Sequence, residues 1–439
     1  MGGAQKYREN GVPYGAGFFF QGSGAGLSKG PVLTLVSEQQ GSDFGCQVAK
    51  LGDVNQDGYD DIAVGACAYN NEAVTGKDEG AAYVFYGPLN RPEQVLWKFI
   101  GDKENAKLGS AISGGDINGD GIGDLIIGAK NYFDDLSSTT TGKVFVFYGS
   151  PAEYPNPGGF ADIPDWTAIG EEGGAQFGGA VDFAGVVNDD SYPDIVIGAP
   201  YSKNTQGEQA GCVYLFHGNS SETGLDLTPA WKKCGDIDDD LLEEEIIRPQ
   251  FGASVAGLGD VNGDGHADVL VGSPYAENEE LDIVTGCVYL YLGSPTGLET
   301  NPAWQRCGEQ ASGKFGASIA AAGDMNDDHK ADFLVGMPNY SVSNEQMGAV
   351  YLFFGAALPN YVQTEFEVVF GNKADTDFGV SVSSAGDING DMRLDVIVGA
   401  PNFKVNNLRY GRGMVYYAGI AGSPDPGDGF SIFLPLVQR

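Results

Sequence analysis

One nine-residue pattern recurs six times along the chain and constrains the fold more than any other feature. In its most regular form it runs Asp260-Val-Asn-Gly-Asp-Gly-His-Ala-Asp268, followed at once by the apolar run 269–271 and Gly272. Position 1 of the pattern falls at residues 53, 116, 186, 260, 324 and 387, so the repeat is 63 to 74 residues long. Repeats of this length, built from short strand-like runs, are typical of a β-propeller with one blade per repeat.

Side-chain oxygens at positions 1, 3, 5 and 9 of the pattern indicate a Ca²⁺ loop. Asp260, Asn262, Asp264 and Asp268 supply hard oxygen ligands, Gly265 permits a sharp turn at position 6, and position 7 offers its carbonyl. The opening is similar to an EF-hand loop, but position 12 is apolar and the flanking runs are strand-like. We therefore predict calcium loops that each connect two β-strands.

The same positions in all six repeats give the complete set of predicted ligands. They are Asp53, Asn55, Asp57, Tyr59 and Asp61 in loop one; Asp116, Asn118, Asp120, Ile122 and Asp124 in loop two; Asn188, Asp190 and Asp194 in loop three; Asp260, Asn262, Asp264, His266 and Asp268 in loop four; Asp324, Asn326, Asp328, Lys330 and Asp332 in loop five; and Asp387, Asn389, Asp391, Arg393 and Asp395 in loop six. Position 7 contributes its backbone carbonyl.

Three loops depart from the pattern. Loop three has Val186 at position 1 and Ser191 at position 6, so we expect five calcium sites. Whether loop three binds an ion or forms an Asx turn without one stays open. His329 and Met392 replace the turn glycine of loops five and six, where a left-handed backbone is costly, so weaker sites are expected there.

The sequence contains one more candidate for the third strand of a blade than it contains calcium loops. Segments that end in glycine and resemble the third strand of a blade occur seven times, and the first, 17–22, precedes every loop. We therefore predict an all-β propeller of four-stranded blades, with seven blades favoured and six as the alternative. Residues 1–40 would be a leader and an N-terminal half-blade of strands three and four. Residues 41–419 would form six complete repeats, and residues 420–439 a closing strand or tail.

The six cysteines also follow the repeat. Two repeats place cysteines at the same two positions, and a third pair flanks loop one. Six cysteines allow 15 connectivities, but repeat equivalence favours the pairs Cys46–Cys67, Cys212–Cys234 and Cys287–Cys307. Such bonds imply an oxidising compartment, and hence a secreted or cell-surface protein.

Composition narrows the classes of function. The net charge is −36, and 20 of the 60 acidic residues lie inside the six loops. So acidic a surface argues against a nucleic-acid partner, and no apolar run is long enough for a transmembrane helix. The chain has three histidines, none of them in a nucleophile motif, so we predict a binding protein and not an enzyme.

The order of motifs within each repeat is similar to a known family. A Phe-Gly or Leu-Gly pair, the Asp-x-Asn-x-Asp-Gly-x-x-Asp loop and an apolar run into Gly-Ala-Pro resemble the FG-GAP repeat of the integrin alpha-subunit head propeller. The resemblance implies calcium on a lower face, partner binding by the loops of an upper face, and a role in adhesion. Loops in nearly every blade, without an inserted helical domain, look more like a prokaryotic repeat protein.

These observations support one leading hypothesis and two alternatives. The first is an extracellular calcium-binding propeller that acts in adhesion or recognition, with a protein or glycan ligand on its upper face. The second is a structural subunit of a surface layer or filament, which self-assembles through the N-terminal half-blade or the C-terminal strand. The third is a carbohydrate-binding or carbohydrate-active propeller. The connection 234–245, with seven acidic residues, is predicted to be a functional part of the upper face.

Overall fold

The protein is a seven-bladed β-propeller. The computed structural model describes residues 2–5, 7–9, 12–23, 27–28, 30–71, 77–88, 95–151, 158–221, 223–237, 248–357, 359–405, 408–409, 411–417 and 430–433. Within these ranges every regular element is a β-strand. The main strands form six four-stranded sheets and one three-stranded sheet, which are called blades 1 to 7 in chain order. The prediction of an all-β propeller with seven blades is confirmed.

The strands of each blade are antiparallel and run in sequence from the innermost to the outermost. The first strands of blades 2 to 7 are Phe44–Gly52, Leu108–Gly115, Ala180–Gly185, Ser254–Gly259, Ser318–Gly323 and Ser381–Gly386. The second strands of blades 1 to 7 are Gly2–Ala4, Asp61–Ala66, Asp124–Ala129, Asp194–Ala199, Asp268–Ser273, Asp332–Met337 and Asp395–Ala400.

The outer strands complete each blade. The third strands are Ala16–Phe19, Ala81–Phe85, Lys143–Phe147, Cys212–Phe216, Cys287–Tyr291, Ala349–Gly355 and Arg412–Tyr416. The fourth strands are Leu33–Val36, Val95–Ile100, Trp166–Ile169, Trp231–Cys234, Trp304–Cys307, Val362–Phe370 and Phe430–Phe433. Five connections between second and third strands form short two-stranded ribbons, which are Arg8–Glu9 with Val12–Pro13, Phe133–Asp134 with Thr139–Thr140, Glu277–Asn278 with Ile283–Val284, Ser341–Val342 with Glu345–Gln346, and Lys404–Val405 with Leu408–Arg409.

Blade 1 contains one strand more than the sequence predicts. Gly2–Ala4 pairs with Ala16–Phe19 as a second strand, so the described part of blade 1 contains strands two, three and four. The prediction missed this strand because it contains two glycines and carries no large apolar side chain. Gly3 is small for a physical reason: a Cβ there would lie 2.3 Å from the carbonyl oxygen of Gly45.

That close approach recurs at every junction from blade 1 to blade 7 and explains the glycines of the repeat. The glycine of each second strand faces the backbone of the next blade's Phe-Gly or Leu-Gly pair, and a Cβ on it would lie 2.1 to 2.3 Å from that glycine's carbonyl oxygen. The six pairs are Gly3 and Gly45, Gly65 and Gly109, Gly128 and Gly178, Gly198 and Gly252, Gly272 and Gly316, and Gly336 and Gly379. Only a residue without a side chain lets two backbones come this close.

The hydrophobic core lies in layers between neighbouring blades. Each large apolar cluster takes its residues from two adjacent sheets. The fourth-strand tryptophans pack across these junctions, as predicted. Trp166, for example, lies with its ring centroid 5.0 Å from that of Phe216 in the next blade and donates a hydrogen bond to the carbonyl of Asp226 at 3.0 Å. Trp97, Trp231 and Trp304 make the same cross-blade ring contacts.

Disulfides within blades and a hydrogen-bonded aspartate between blades add further links. The three predicted disulfides are present, and Cys212–Cys234 and Cys287–Cys307 each join directly paired residues of the third and fourth strands. Asp182, in the first strand of blade 4, accepts hydrogen bonds from Ser113 Oγ in blade 3 and Gly257 N–H in blade 5, at 2.6 and 3.1 Å. The innermost strands of three blades are therefore bonded to one another.

Blade 1 closes the ring against blade 7. A Cβ on Gly22 would lie 2.6 Å from the carbonyl oxygen of Ile388, and the N–H of Leu27 donates to the hydroxyl of Tyr417 at 3.3 Å. The glycine-to-carbonyl contact of the other junctions is not repeated here: among the described residues, Gly399 faces only its own blade's Ser381. Phe430–Phe433 pairs with Arg412–Tyr416 as the outermost strand of blade 7.

Candidate calcium loops and the opposite face

All six predicted loops connect the first strand of a blade to its second strand. Because neighbouring strands are antiparallel, these connections share one face of the ring, here called the lower face. The connections between strands two and three, and between blades, lie on the opposite, upper face. Position 9 of each loop is the first residue of the second strand, so the β-sheet itself places the end of the loop.

Loop four shows how the side-chain oxygens are arranged. The N–H of Asp264 donates to Asp260 Oδ1 at 3.1 Å and to Asn262 Oδ1 at 2.8 Å. The N–H of Gly265 donates to Asp260 Oδ2 at 2.8 Å, and that of His266 to Asp264 Oδ1 at 2.9 Å. The oxygens of positions 1, 3 and 5 thus surround one stretch of backbone. Loops one, two, five and six repeat these bonds.

The position 9 carboxylate has a different role from the other three. Asp268 is fully buried and accepts hydrogen bonds from the N–H of Val261 at 2.8 Å and of Gly293 at 2.9 Å. Burial raises the pKa of Asp268 to about 7 and that of Asp61 to about 6. A nearby divalent cation would favour the ionised form of such a group. This aspartate therefore joins the loop to the end of the third strand, whether or not it also contacts an ion.

The loops contain two left-handed residues, and the sequence predicts only one of them. Position 6 has a positive φ in five loops, including 65° at His329 and 70° at Met392, as expected where these residues replace glycine. Position 4 is also left-handed, with φ of 54° at Gln56 and 63° at Asp327. Non-glycine residues adopt this conformation at a cost, so loops one, five and six carry backbone strain that loops two and four avoid with glycine.

Loop three is built differently. Neither Asp189 nor Ser191 adopts the positive φ of the other loops, and Val186 offers no carboxylate to the amides of positions 5 and 6. Asn188 still caps the N–H of Asp190 at 3.0 Å. Loop three thus keeps the Asx turn of the other loops and lacks their position 1 carboxylate.

Neighbouring loops contact one another, which the sequence analysis did not anticipate. His266 of loop four places Nε2 2.9 Å from Asp189 Oδ1 of loop three, and this hydrogen bond raises the pKa of His266. Arg393 of loop six lies 3.4 Å from Asp327 of loop five. In both pairs a position 7 side chain meets a position 4 side chain of the preceding loop. That spacing is the signal that could have revealed them.

The donor set of the regular loops suits a hard cation such as Ca²⁺. Each presents carboxylate and amide oxygens from positions 1, 3 and 5 around a tight turn, which is the chemistry that calcium prefers. Among the described residues, no three His, Cys, Asp or Glu side chains form a ready cluster. One of the central donors is Asn, and the position 9 carboxylate is turned towards backbone amides. Calcium binding therefore stays a prediction.

The upper face presents the ribbons. Exposed apolar side chains lie on three of them: Leu136 in blade 3, Leu281 in blade 5 and Val342 in blade 6, which are 95%, 49% and 41% exposed. The acidic connection predicted to be functional begins here at Cys234, but residues 238–247 lie outside the described part of the chain. None of the described residues forms a helix long and apolar enough to cross a membrane.

The comparisons agree with this architecture. The FG-GAP repeat family matches residues 47–85, 108–147, 251–280 and 378–417, which lie in blades 2, 3, 5 and 7. Blades 4 and 6 have the same strand order and the same junction glycines. The chain is therefore a seven-bladed β-propeller with FG-GAP repeats, and it is similar to integrin alpha subunits.

Its relatives are larger proteins. Human phosphatidylinositol-glycan-specific phospholipase D is 30% identical over 80% of this chain and 42% of its own length. Integrin alpha-3 of Cricetulus griseus is 26% identical over 76% of this chain and 32% of its own length. The chain thus spans less than half the length of either relative. The solved structure of a thermostable family-43 glycoside hydrolase aligns with 76% of this chain and 95% of its own length, at a TM-score of 0.36 and 12% identity.

Proposed function

We propose that this chain is an extracellular, calcium-stabilised recognition module that binds a protein partner through its upper face. The proposal rests on one observation: three upper-face ribbons each expose an apolar side chain, Leu136, Leu281 and Val342. Short polar ribbons have no folding reason to expose leucine, and exposed apolar groups on loops of a rigid scaffold are frequent at interaction sites. The integrin alpha relatives support an adhesive role.

Calcium would act on the lower face, remote from the partner. In each regular loop the carboxylates at positions 1 and 5 repel one another, and an ion held by positions 1, 3, 5 and 9 would remove that repulsion. Three disulfides support a location outside the reducing cytosol. The five regular loops would thus stabilise the ring that carries the ribbons.

The proposal assigns binding and no catalytic step to this chain. All six cysteines are in disulfides, and His266 is bonded to Asp189 and Asp264, so neither supplies an evident nucleophile and base pair. The similarity to phosphatidylinositol-glycan-specific phospholipase D makes one enzymatic activity worth measuring. Release of a glycosylphosphatidylinositol-anchored alkaline phosphatase from membranes by the purified chain would contradict this part of the proposal.

An adhesion assay tests the proposal directly. Beads coated with the chain are applied to arrays of purified extracellular proteins and glycans, once in about 1 mM Ca²⁺ and once in EGTA. We expect retention on a protein spot in calcium, and loss of that retention in Leu136→Ser/Leu281→Ser. The matched control is Ile163→Ser/Leu227→Ser, which removes two exposed large side chains, 75% and 76% exposed, from connections between third and fourth strands on the lower face.

Three outcomes of the adhesion assay would contradict or change the proposal. Equal loss in both double variants would show that the upper face has no special role. Retention only on glycan spots would replace the protein partner by a carbohydrate. No retention on any spot in calcium would contradict the recognition function itself.

A further inference from the structure

A large cleft opens between the outer halves of blades 4 and 5. Its volume is about 1220 Å³, somewhat above the roughly 300–1,000 Å³ usual for small-molecule pockets. Its lining runs from the ribbon residues Glu277 and Leu281 on the upper face to Asn301 and Pro302 beyond the far end of the fourth strand of blade 5. The cleft therefore spans the height of a blade and suits an extended chain better than a compact ligand.

The frame of the cleft is fixed by covalent and hydrogen bonds. The disulfides Cys212–Cys234 and Cys287–Cys307 tie the third and fourth strands of the two blades that form it. Asn278 donates to the carbonyl of Gly308 at 2.9 Å, and Ser273 donates to that of Pro249 at 2.8 Å. A preorganised site of this kind loses little conformational entropy on binding.

The charge of the cleft is negative. Among its described lining residues, five are acidic and two are basic: Asp236, Glu277, Glu279, Glu280 and Glu309 against Lys233 and Arg306. Arg306 is already engaged, because its guanidinium lies 3.1 Å from Glu309 and 4.2 Å from the ring centre of Phe366. Besides Glu277, the three carboxylates of Asp236, Glu279 and Glu280 then share the cleft with the single ammonium group of Lys233, and a cationic ligand would relieve their repulsion.

A tyrosine in the wall of the cleft gives a second, independent indication of a ligand. Tyr291 lines the cleft and is 1% exposed, yet its hydroxyl has no hydrogen-bond partner within the described part of the chain. At the same register position, blades 2, 3, 4 and 6 have Phe85, Phe147, Phe216 and Phe353. Packing against Trp231 needs only the ring, so the hydroxyl is a donor that opens onto the cleft and that a ligand there can use.

We infer that this cleft binds an extended, lysine- or arginine-rich peptide segment of the partner protein. Basic side chains would meet the carboxylates of Asp236, Glu279 and Glu280, and a peptide carbonyl would accept the hydrogen of Tyr291 Oη. Burial and the charges of Glu279 and Asp236 raise the pKa of the neighbouring Tyr289 to about 12, which keeps its hydroxyl a donor as well. The inference rests on the proposed recognition function and narrows both its place and its ligand.

Fluorescence anisotropy with short labelled peptides tests the inference on the full chain. The probe is an eight-residue peptide of alternating lysine and glycine, compared with one of alternating glutamate and glycine and with labelled chitohexaose. We expect saturable binding of the lysine peptide alone, weakened at least several-fold between about 20 and 200 mM salt. Tyr291→Phe should weaken it about fivefold, the usual scale for one hydrogen bond, without lowering the melting temperature.

Matched charge variants separate the cleft from the general acidity of the surface. Glu279→Gln/Glu280→Gln should weaken the lysine peptide about tenfold, whereas Asp134→Asn/Asp135→Asn, which removes two charges from the blade 3 ribbon, should change it less than twofold. Equal effects of the two double variants, no effect of Tyr291→Phe, or no binding of the lysine peptide would overturn the inference. Binding of chitohexaose instead would make the cleft a glycan site. None of these results bears on the adhesion assay, so the proposed function can stand while this inference fails.

Discussion

The junction between blades 4 and 5 offers a sharp test of the packing argument, through the substitution Gly198→Ala. Its new Cβ would lie 2.1 Å from the carbonyl oxygen of Gly252, 3.1 Å from its carbonyl carbon and 3.3 Å from the Cβ of Ala180. Two of these three atoms are backbone. An ordinary carbon-to-oxygen contact needs roughly 3.0 Å or more, so about 1 Å of separation must be found.

Neither backbone can move alone. Gly198 lies in a central strand, paired with Ala180 on one side and Val213 on the other. Gly252 is held on its own side, because its N–H donates to the carbonyl of Gly272 at 3.0 Å. The strain must therefore separate the two blades, and we expect a loss near the upper end of the overpacking range, about 3 kcal/mol.

Equilibrium denaturation with guanidinium chloride, followed by tryptophan fluorescence, measures this loss by linear extrapolation. If the ring unfolds as one unit, an entropy of about 2 cal/mol/K per residue makes 3 kcal/mol equal to a fall of about 3 °C in melting temperature. The control is Gly30→Ala, since a Cβ at Gly30 has no atom within 4 Å. It should be neutral or slightly stabilising. A loss below about 1 kcal/mol for Gly198→Ala would refute the claim that the junction is rigid.

Three further predictions concern ions and pH. Removal of Ca²⁺ with EGTA should lower the melting temperature measured by calorimetry, since a single site adds about 2.7 kcal/mol when the free calcium concentration is 100 times its dissociation constant. An unchanged melting curve after exhaustive dialysis would contradict calcium-dependent stability. Asp264→Ala should remove about one bound calcium per chain, counted by atomic emission, whereas Asn188→Ala in loop three should remove none. Asp182→Asn, which keeps one acceptor oxygen, should cost less stability at pH 7.5 than at pH 4. Burial raises the pKa of Asp182 from 3.8 to about 6, and an aspartate with a raised folded-state pKa loses stability as the pH rises through that interval. Equal shifts at both pH values would count against this.

The repeat pattern predicts the fold well because its constraints are local and repeated six times. The loop, the apolar run and the Phe-Gly pair each fix a strand end, and the fourth-strand tryptophans predict the layers between blades. The disulfide pairs followed from equivalent positions in two repeats. The strand Gly2–Ala4 was missed because it is short and has no large apolar side chain. Its signal was Gly3-Ala4 followed by Tyr7, which matches Gly65, Ala66 and Tyr69 of blade 2.

The candidate sites were less predictable, because they depend on contacts between repeats. A ligand pattern identifies Asp264, but not that His266 turns to Asp189 in another blade. The cleft between blades 4 and 5 has no motif at all: Tyr291 differs from its phenylalanine equivalents by one oxygen, which gains meaning only when the structure shows it buried. Asp182 likewise looks like an ordinary strand residue until the first strands of three blades are seen side by side.

The glycine-to-carbonyl contacts set the angular step from one blade to the next. Seven equal steps of about 51° are needed to complete a circle, and six of them are set by backbone atoms that cannot be pressed closer. Small errors in those steps add up around the ring. The seam between blades 7 and 1, where Gly22 meets Ile388 and Leu27 meets Tyr417, is the one junction without this spacer among the described residues, and it is therefore where the accumulated error is absorbed.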